Sequence, residues 1–242
     1  MNEQNFPQRA MVLAAGIGNR MRPLTDARPK PLVEVGGRAL IDRNLDRLER
    51  ANISAAVVNL HHFADMLEAH LQKRAKPKIV FSDERAALLD TGGGIAKALS
   101  LLGDKPFFLV NSDSLWLEKN SNLARLARAF DPSRMDALLL VARAENTVGY
   151  EGRGDYFIEA NGLLRRRGIT ERAPLTYAGG ALLSPALFNG APTGSFPLLP
   201  LFDHAEAAGR LSGIELDGVF LHVGTPAAIP LAEAAIRAQA PA

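Results

Sequence analysis

Apolar residues along this chain fall into short continuous runs separated by longer amphipathic stretches. Residues 10–15, 55–60, 78–81, 106–110 and 137–141 form such runs, each bounded by turn residues. Runs of that length fit strands buried on both faces better than helices. Between them the apolar spacing becomes helical. Leu40, Ile41, Leu45 and Leu48 predict a helix over 39–51, and Phe63, Met66, Leu67 and Leu71 predict one over 63–74. Further helices are predicted over 95–102 and 122–130. Strand and helix in alternation argue an α/β fold with a doubly wound, mostly parallel sheet. After about residue 145 the pattern changes. Segments 156–159 and 163–167 flank Ala160-Asn161-Gly162, a hairpin signal. Strands are expected over 176–183, 211–216 and 219–223, and helices over 199–209 and 226–238. This part is expected to fold onto the same sheet.

Composition narrows the picture without changing it. The 242 residues are 47% hydrophobic and 22% charged, ordinary for a globule with a sizeable core. A net charge of +2 gives no reason to expect a nucleic acid partner. The chain has no cysteine, which excludes disulfides, thiolate metal sites and cysteine nucleophiles and fits a reducing compartment. The start, MNEQNFPQR, does not read as a signal peptide, and no apolar run approaches the roughly 20 residues a membrane span needs. The expectation is a cytoplasmic protein with no membrane partner.

Candidate chemistry concentrates in residues 11–33, MVLAAGIGNRMRPLTDARPKPLV. A strand running into Gly16 and Gly18 places bare backbone N–H groups at the carboxyl end of a sheet, where α/β proteins bind ligands. Arg20, Arg22, Arg28 and Lys30 follow closely on a loop stiffened by Pro23, Pro29 and Pro31. That combination suits a polyphosphate. It is not the dinucleotide fingerprint, because Met21 stands where the third glycine belongs, and it is not a P-loop, because no Gly-Lys-Ser/Thr follows. Asn111-Ser112-Asp113 directly follows the most apolar run. A carboxylate there, facing the glycine loop, suits a phosphate-bound cation, since Mg²⁺ takes one or two protein carboxylates plus phosphate oxygens. Asp113 as a turn cap is the structural alternative. His61-His62 reads as a cap or core pair rather than a metal pair, and Trp116 as a packing residue near the site.

Gly16-x-Gly18-x-Arg20-x-x-Pro23-x-Thr25 followed by Pro29-Lys30-Pro31-Leu32 resembles the signature of the sugar-phosphate nucleotidyltransferases, also called nucleoside-diphosphate-sugar pyrophosphorylases. The resemblance implies a Rossmann-like fold of three layers, as a single domain over 1–242. Residues 1–145 would bind nucleotide; 146–242 would form a smaller acceptor-binding lobe with a helical end, without the β-helix tail of longer relatives. It implies an enzyme that converts a nucleoside triphosphate and a sugar 1-phosphate to a nucleotide-sugar and pyrophosphate, acting as a monomer or homodimer. Arg20, Lys30 and Asp113 are then the catalytic residues. Arg20 serves the β- and γ-phosphates, and Lys30 serves the α-phosphate and the incoming phosphate. Ala14, Ala15, Gly16 and Gly18 bind nucleotide, together with Thr91, Gly93 and Gly94 of a second glycine element, Asp90-Thr91-Gly92-Gly93-Gly94. That element implies glycines lying against base and sugar, with a helix beginning after them at Ile95; Glu84 in the same loop is a weaker candidate for base or sugar hydroxyls. Asn111, Glu159, Gly179 and Gly180 are the implied sugar-phosphate residues, and Asp113 the implied ligand of Mg²⁺, with Mn²⁺ as the alternative.

Two departures from the family pattern stand out. Relatives commonly end with aromatic-x-Asp-x-Gly-Thr-Pro, whose Asp completes the metal shell; here His222 stands in that place, within Phe220-Leu221-His222-Val223-Gly224-Thr225-Pro226. Imidazole suits Mn²⁺, Co²⁺ or Zn²⁺ better than Mg²⁺, so His222 is either a ligand, a residue acting through water, or a bystander. Thr225 and Pro226 would cap and open the last helix. Some relatives follow the sugar-binding Glu with a Lys; here Ala160 follows Glu159. Arg165, Arg166 or Arg167 could substitute, though alternate strand residues point opposite ways, so at most one face can serve. The second glycine element is nearest to that of N-acetylmuramate-1-phosphate uridylyltransferases, which implies UTP, N-acetylmuramate 1-phosphate and peptidoglycan recycling. A guanylyl- or cytidylyltransferase acting on mannose 1-phosphate or phosphocholine stays open, as does a nucleotide-binding regulatory relative without turnover.

Overall fold

Buried on both faces, the short apolar runs become neighbouring strands of one central sheet. The computed structural model describes residues 6–239. In chain order the strands are β1 (Arg9–Leu13), β2 (Glu34–Val35), β3 (Arg38–Ala39), β4 (Ala55–Leu60), β5 (Lys78–Asp83), β6 (Phe107–Asn111), β7 (Ser114–Glu118), β8 (Ala137–Arg143), β9 (Thr147–Val148), β10 (Tyr156–Ile158), β11 (Leu164–Arg166), β12 (Leu175–Leu183), β13 (Leu211–Glu215) and β14 (Gly218–His222). The α-helices are α1 (Leu40–Arg50), α2 (Ala64–Leu71), α3 (Asp90–Leu102), α4 (Asn122–Ala129), α5 (Leu199–Ala207) and α6 (Ala228–Gln239).

Strands β6, β1, β4 and β5 lie side by side and parallel. On the other side of β6, β12 runs antiparallel; it pairs in turn with β8, and β13 runs parallel to β8. The β10–β11 hairpin joins at the start of β12, where Tyr156 pairs with Leu175. After residue 145, β10 to β13 thus extend the same nine-stranded sheet, in which only β11 and β12 oppose the common strand direction, whereas β9 and β14 lie outside it, against the expectation that this whole part folds onto the main sheet. Along each strand alternate side chains feed opposite cores. Val12, Val58, Val110 and Leu140 meet α1, α2 and α4 on one face. Met11, Val57, Leu109 and Leu139 meet α3 and α5 on the other, which makes the three layers.

Several boundaries moved for identifiable reasons. β1 stops at Leu13, because the chain must leave the sheet to form the glycine loop. Phe63 adopts a left-handed conformation (φ 50°) and so precedes α2, which spans only Ala64–Leu71. α6 starts at Ala228, whose N–H donates to the carbonyl of Thr225 at 3.1 Å, so Pro226 lies outside the helix rather than opening it. β7 was not foreseen. It pairs with β14, which pairs with β9, in a second, three-stranded sheet. Leu115, Leu221 and Val223 bury against Met21 and Leu40 there, so this small sheet anchors the glycine loop to the body. Among the described residues no helix is long and apolar enough to cross a membrane.

Candidate active site

The loop leaving β1 is held from both ends and left open in its middle. Asn59, at the end of β4, accepts the N–H of Ala14 at 2.7 Å. Gly18 sits in the left-handed region (φ 74°), its carbonyl taking the N–H of Met21 and the hydroxyl of Thr25. A Cβ at Gly18 would lie 3.1 Å from Cβ of Lys30, so glycine here also makes room for the lysine. Between these anchors, among the described residues, no protein acceptor takes the N–H groups of Ala15, Gly16, Ile17 or Gly18. Successive free amides of this kind form a nest for an anion. Lys30, pinned between Pro29 and Pro31 on a 3-10 turn, reaches the carboxylate of Asp113 at 2.5 Å across the mouth of β6. Arg20 is exposed and has no ion-pair or hydrogen-bond partner among the described residues.

These groups wall a cavity of about 590 Å³, which also takes in Asn59, Leu88, Asp90, Thr91 and Ser195. A second cavity of about 600 Å³ adjoins it, lined by Asp155, Tyr156, Arg166, Arg167, Ile169 and Tyr177 among others. Leu13, Thr91 and Asn111 belong to both walls, so the two form one cleft over the carboxyl ends of β1 and β6. Tyr177 carries a buried hydroxyl with no protein partner among the described residues. Burial pushes its pKa well above the usual tyrosine value, so it stays a neutral donor. A buried hydroxyl without a partner is costly, and an occupant of the second cavity can satisfy it.

The structure separates the remaining predicted residues. The helix of the second glycine element begins at Asp90, not Ile95, so Gly92, Gly93 and Gly94 lie inside its first turns and are buried. The carbonyl of Phe196 accepts the N–H groups of Gly92 and Gly93 at 2.9 and 3.0 Å. A side chain at Gly93 would overlap the carbonyl of Gly194, and one at Gly94 would lie 2.8 Å from the carboxylate of Glu84. These glycines therefore let α3 close on residues 194–196 and on Glu84, and only Thr91 of the three candidates there reaches the cavity walls. Glu84 is itself buried and turned inward, accepting from Asn59 at 2.8 Å and from the N–H of Leu89 at 3.2 Å. It positions Asn59 rather than facing either cavity. Glu159 is exposed at the hairpin turn and lines neither cavity. The arginine expectation also changes. β11 ends at Arg166, so Arg167 lies beyond the strand's alternation and both residues reach the second cavity, while Arg165 turns away to Glu171.

Gly179 and Gly180 stand behind the wall. They form a bulge where the register of β12 shifts against β8. Gly179 is left-handed (φ 71°) and abuts Ser114; a side chain at Gly180 would overlap the indole of Trp116. That indole cannot give way. Its N–H donates to the carbonyl of Ala178 at 2.8 Å, and the guanidinium of Arg47 lies 4.3 Å from its ring centroid. Gly180→Ala is accordingly expected to destabilise the fold by about 1–3 kcal/mol, the usual range for overpacking, read as a lowered urea midpoint at unchanged slope.

The donor set for a cation is lean. Among the described residues no three His, Cys, Asp or Glu side chains come together as a metal cluster. His222 pairs across β14 with Ser114, the residue after Asp113. Its Nδ1–H donates to the carbonyl of Gly149 at 3.2 Å, which leaves Nε2 as a lone pair, but the ring lines neither cavity. One carboxylate beside a phosphate nest fits Mg²⁺, an ion that keeps few protein ligands and takes the rest from phosphate and water.

Behind Asp113 a buried polar grid fixes the turn, and sequence reading missed it. Asn44 of α1 is wholly buried and donates to the carbonyl of Ser112 at 3.1 Å. Arg47, one turn on, donates to Asn44 at 2.6 Å and to the carbonyl of Trp116 at 3.1 Å, and pairs with Glu118 at 3.4 Å. The only signal for either in the sequence is a polar residue on the apolar face of a predicted helix.

The chain is 50% identical over 233 residues to the N-acetylmuramate alpha-1-phosphate uridylyltransferase of Caulobacter vibrioides, covering 94% of this chain and 96% of that one. It is 35% identical to the protein of the same name from Neisseria meningitidis serogroup B, covering 93% and 97%. Among solved structures, UDP-glucose pyrophosphorylase complexed with UDP-glucose superimposes with a TM-score of 0.78 over 96% of this chain and 99% of that one at 14% identity. The inositol-1-phosphate CTP transferase from T. maritima gives 0.76 over 92% and 91% at 17% identity. Such identities speak for the fold alone, and the fold they share is the three-layer α/β arrangement described above. A family model for nucleotidyl transferases matches residues 9–150, which include the glycine loop, Lys30 and Asp113, and the chain belongs to that family.

Proposed function

We propose that the chain transfers a uridylyl group from UTP to N-acetylmuramate 1-phosphate, releasing pyrophosphate, in the cytoplasm and as a step of peptidoglycan recycling. The observation that carries the reaction class is the single cleft: a free amide nest, Arg20 and the Lys30–Asp113 pair on one side, a roomy second cavity on the other. The choice of substrates is supported by the two relatives that share about half and a third of their residues with it along nearly their whole length.

The roles follow from position. The free amides of residues 15–18 hold the triphosphate, and Arg20 meets its outer phosphates. Lys30 faces the α-phosphate and the incoming phosphate of the acceptor. An acceptor phosphate oxygen attacks the α-phosphorus in line, the bond from the α-phosphorus to its bridging oxygen breaks, and pyrophosphate leaves with that oxygen. The nucleophile is already an anion, so no side chain need act as a strong base. Positioning and charge neutralisation supply the acceleration. Asp113 would hold Mg²⁺ together with substrate phosphates, and that ion supplies Lewis-acid stabilisation of phosphate charge.

Pyrophosphate release tests the proposal, measured over a matrix of triphosphates, acceptors and Mg²⁺ or Mn²⁺. The expected result is release with UTP and N-acetylmuramate 1-phosphate and little with mannose 1-phosphate or phosphocholine. Nucleotide binding without release from any pair would instead support a binding module. A marked preference for Mn²⁺ would bring His222 into the metal shell.

A further inference from the structure

The second cavity holds a cationic centre that the transferred phosphate does not need. Three arginines follow one another at the end of β11, and their partners differ. Arg165 pairs with Glu171 at 2.9 Å and stacks on Phe157, outside the cavity. Arg166 lines the cavity but is matched by Asp203 at 2.7 Å. Arg167 lines the cavity half-buried, and among the described residues no carboxylate lies within ion-pair distance of it. Its guanidinium is aimed by carbonyls alone: Nε donates to Gly154 at 2.7 Å, and Nη1 donates to Gly168 at 3.1 Å and Ile169 at 3.4 Å. Carbonyls fix the fork without neutralising it, which leaves Nη2 and a net charge for a ligand. Asp155, the carboxylate in this wall, spends Oδ2 on Thr176 and on the N–H of Tyr177. Meanwhile the triphosphate and the acceptor phosphate already have the nest, Arg20 and Lys30 in the adjoining cavity.

We propose that Arg167 binds a second anionic group on the acceptor, a carboxylate, and so selects an acidic sugar phosphate over its neutral counterpart. This rests on the function proposed above. N-acetylmuramate differs from N-acetylglucosamine by a lactyl ether that ends in a carboxylate, so the two 1-phosphates are a matched pair with and without the group that Arg167 reads.

The test compares kcat/KM for these two acceptors with UTP, in the wild type, Arg167→Met and Arg167→Lys; where the neutral acceptor turns over too slowly, its inhibition constant replaces kcat/KM. The wild type is expected to favour the acidic acceptor. Arg167→Met is expected to lower kcat/KM for it by about 10- to 100-fold, the value of one charged hydrogen bond, mostly through KM. The neutral acceptor should change far less, and Arg167→Lys should keep part of the selectivity. In the wild type, converting the lactyl carboxylate to its amide should cost the same factor, a result that does not depend on whether the variants fold. Equal losses with both acceptors would put Arg167 on the phosphate and overturn the proposal while leaving the function intact, and an undiminished amide would overturn it too. Silence of the wild type with both acceptors overturns the proposed function and this inference with it.

Discussion

Lys30→Ala is expected to lower kcat by about 10²- to 10³-fold at saturating substrates, the usual loss when one preorganised charge facing a transition state is removed. The fold should survive, because the ammonium of Lys30 reaches across the cleft rather than into the core. Among the described residues its one polar partner is Asp113, at 2.5 Å. That pairing offers a rival role, in which Lys30 merely neutralises Asp113 until substrates arrive. The two roles predict opposite outcomes. If Lys30 only guarded Asp113, removing it would expose the carboxylate, strengthen cation binding and leave turnover intact or raised. If it stabilises charge on the α-phosphate, turnover collapses even at high Mg²⁺. Steady-state pyrophosphate release against Mg²⁺ concentration separates them. Lys30→Arg should not restore the rate, since a planar fork cannot take the place of a compact ammonium beside Asp113.

Arg47→Ala is expected to cost about 3 kcal/mol of stability, the lower end for removing one partner of a buried ion pair. Arg47 is 5% exposed, and burial pushes its guanidinium down to about 10, so it remains charged at neutral pH only at a penalty. Four contacts offset that penalty: the carboxylate of Glu118, the side chain of Asn44, the carbonyl of Trp116 and the face of its ring. Glu118 also accepts from the N–H and side chain of Asn122, each at 3.0 Å, so it is not left bare by the change, which keeps the loss at the lower end. A chain of this size should show a fall in Tm of roughly 6–12 °C at 2–4 °C per kcal/mol. Because Asn44 holds the turn before Asp113, kcat should fall as well, with the KM for UTP moving less. A destabilised variant with unchanged kcat would confine Arg47 to a structural role.

Residues 55–60 read as a strand in the sequence and are β4 in the structure, because a parallel strand covered on both faces is nearly continuously apolar, here with Asn59 as the exception, and needs no partner to be recognised. The glycine loop was equally legible, since cations, prolines and glycines at close spacing are a local property. α3 was misplaced for the opposite reason. Glycine disfavours a helix by about 1 kcal/mol per residue, so three in a row read as a loop. What overrides that preference is the carbonyl of Phe196, a hundred residues further on, which takes two helix N–H groups where no side chain would fit. The strand over 219–223 was legible and is β14, but β7 and its pairing with β14 stayed hidden, because that pairing, Ser114 with His222, spans more than a hundred residues.

The division is physical. On its own, the sequence determined the alternation of strands and helices, the glycine loop with Arg20 and Lys30 close behind it, and Asp113 at the end of the most apolar strand. Each of these depends on residues that are neighbours in the chain or repeat with its period. The tertiary structure alone decided which backbone N–H groups stay free among the described residues, that Asn59 is held by Glu84 and Asn44 by Arg47, that Gly93 and Gly180 answer to packing, and that Arg167 lines the second cavity with no anionic partner among those residues. Those outcomes depend on which groups meet across the fold. A buried polar atom or a missing Cβ takes its meaning from the atom opposite it, and that atom lies far away in sequence.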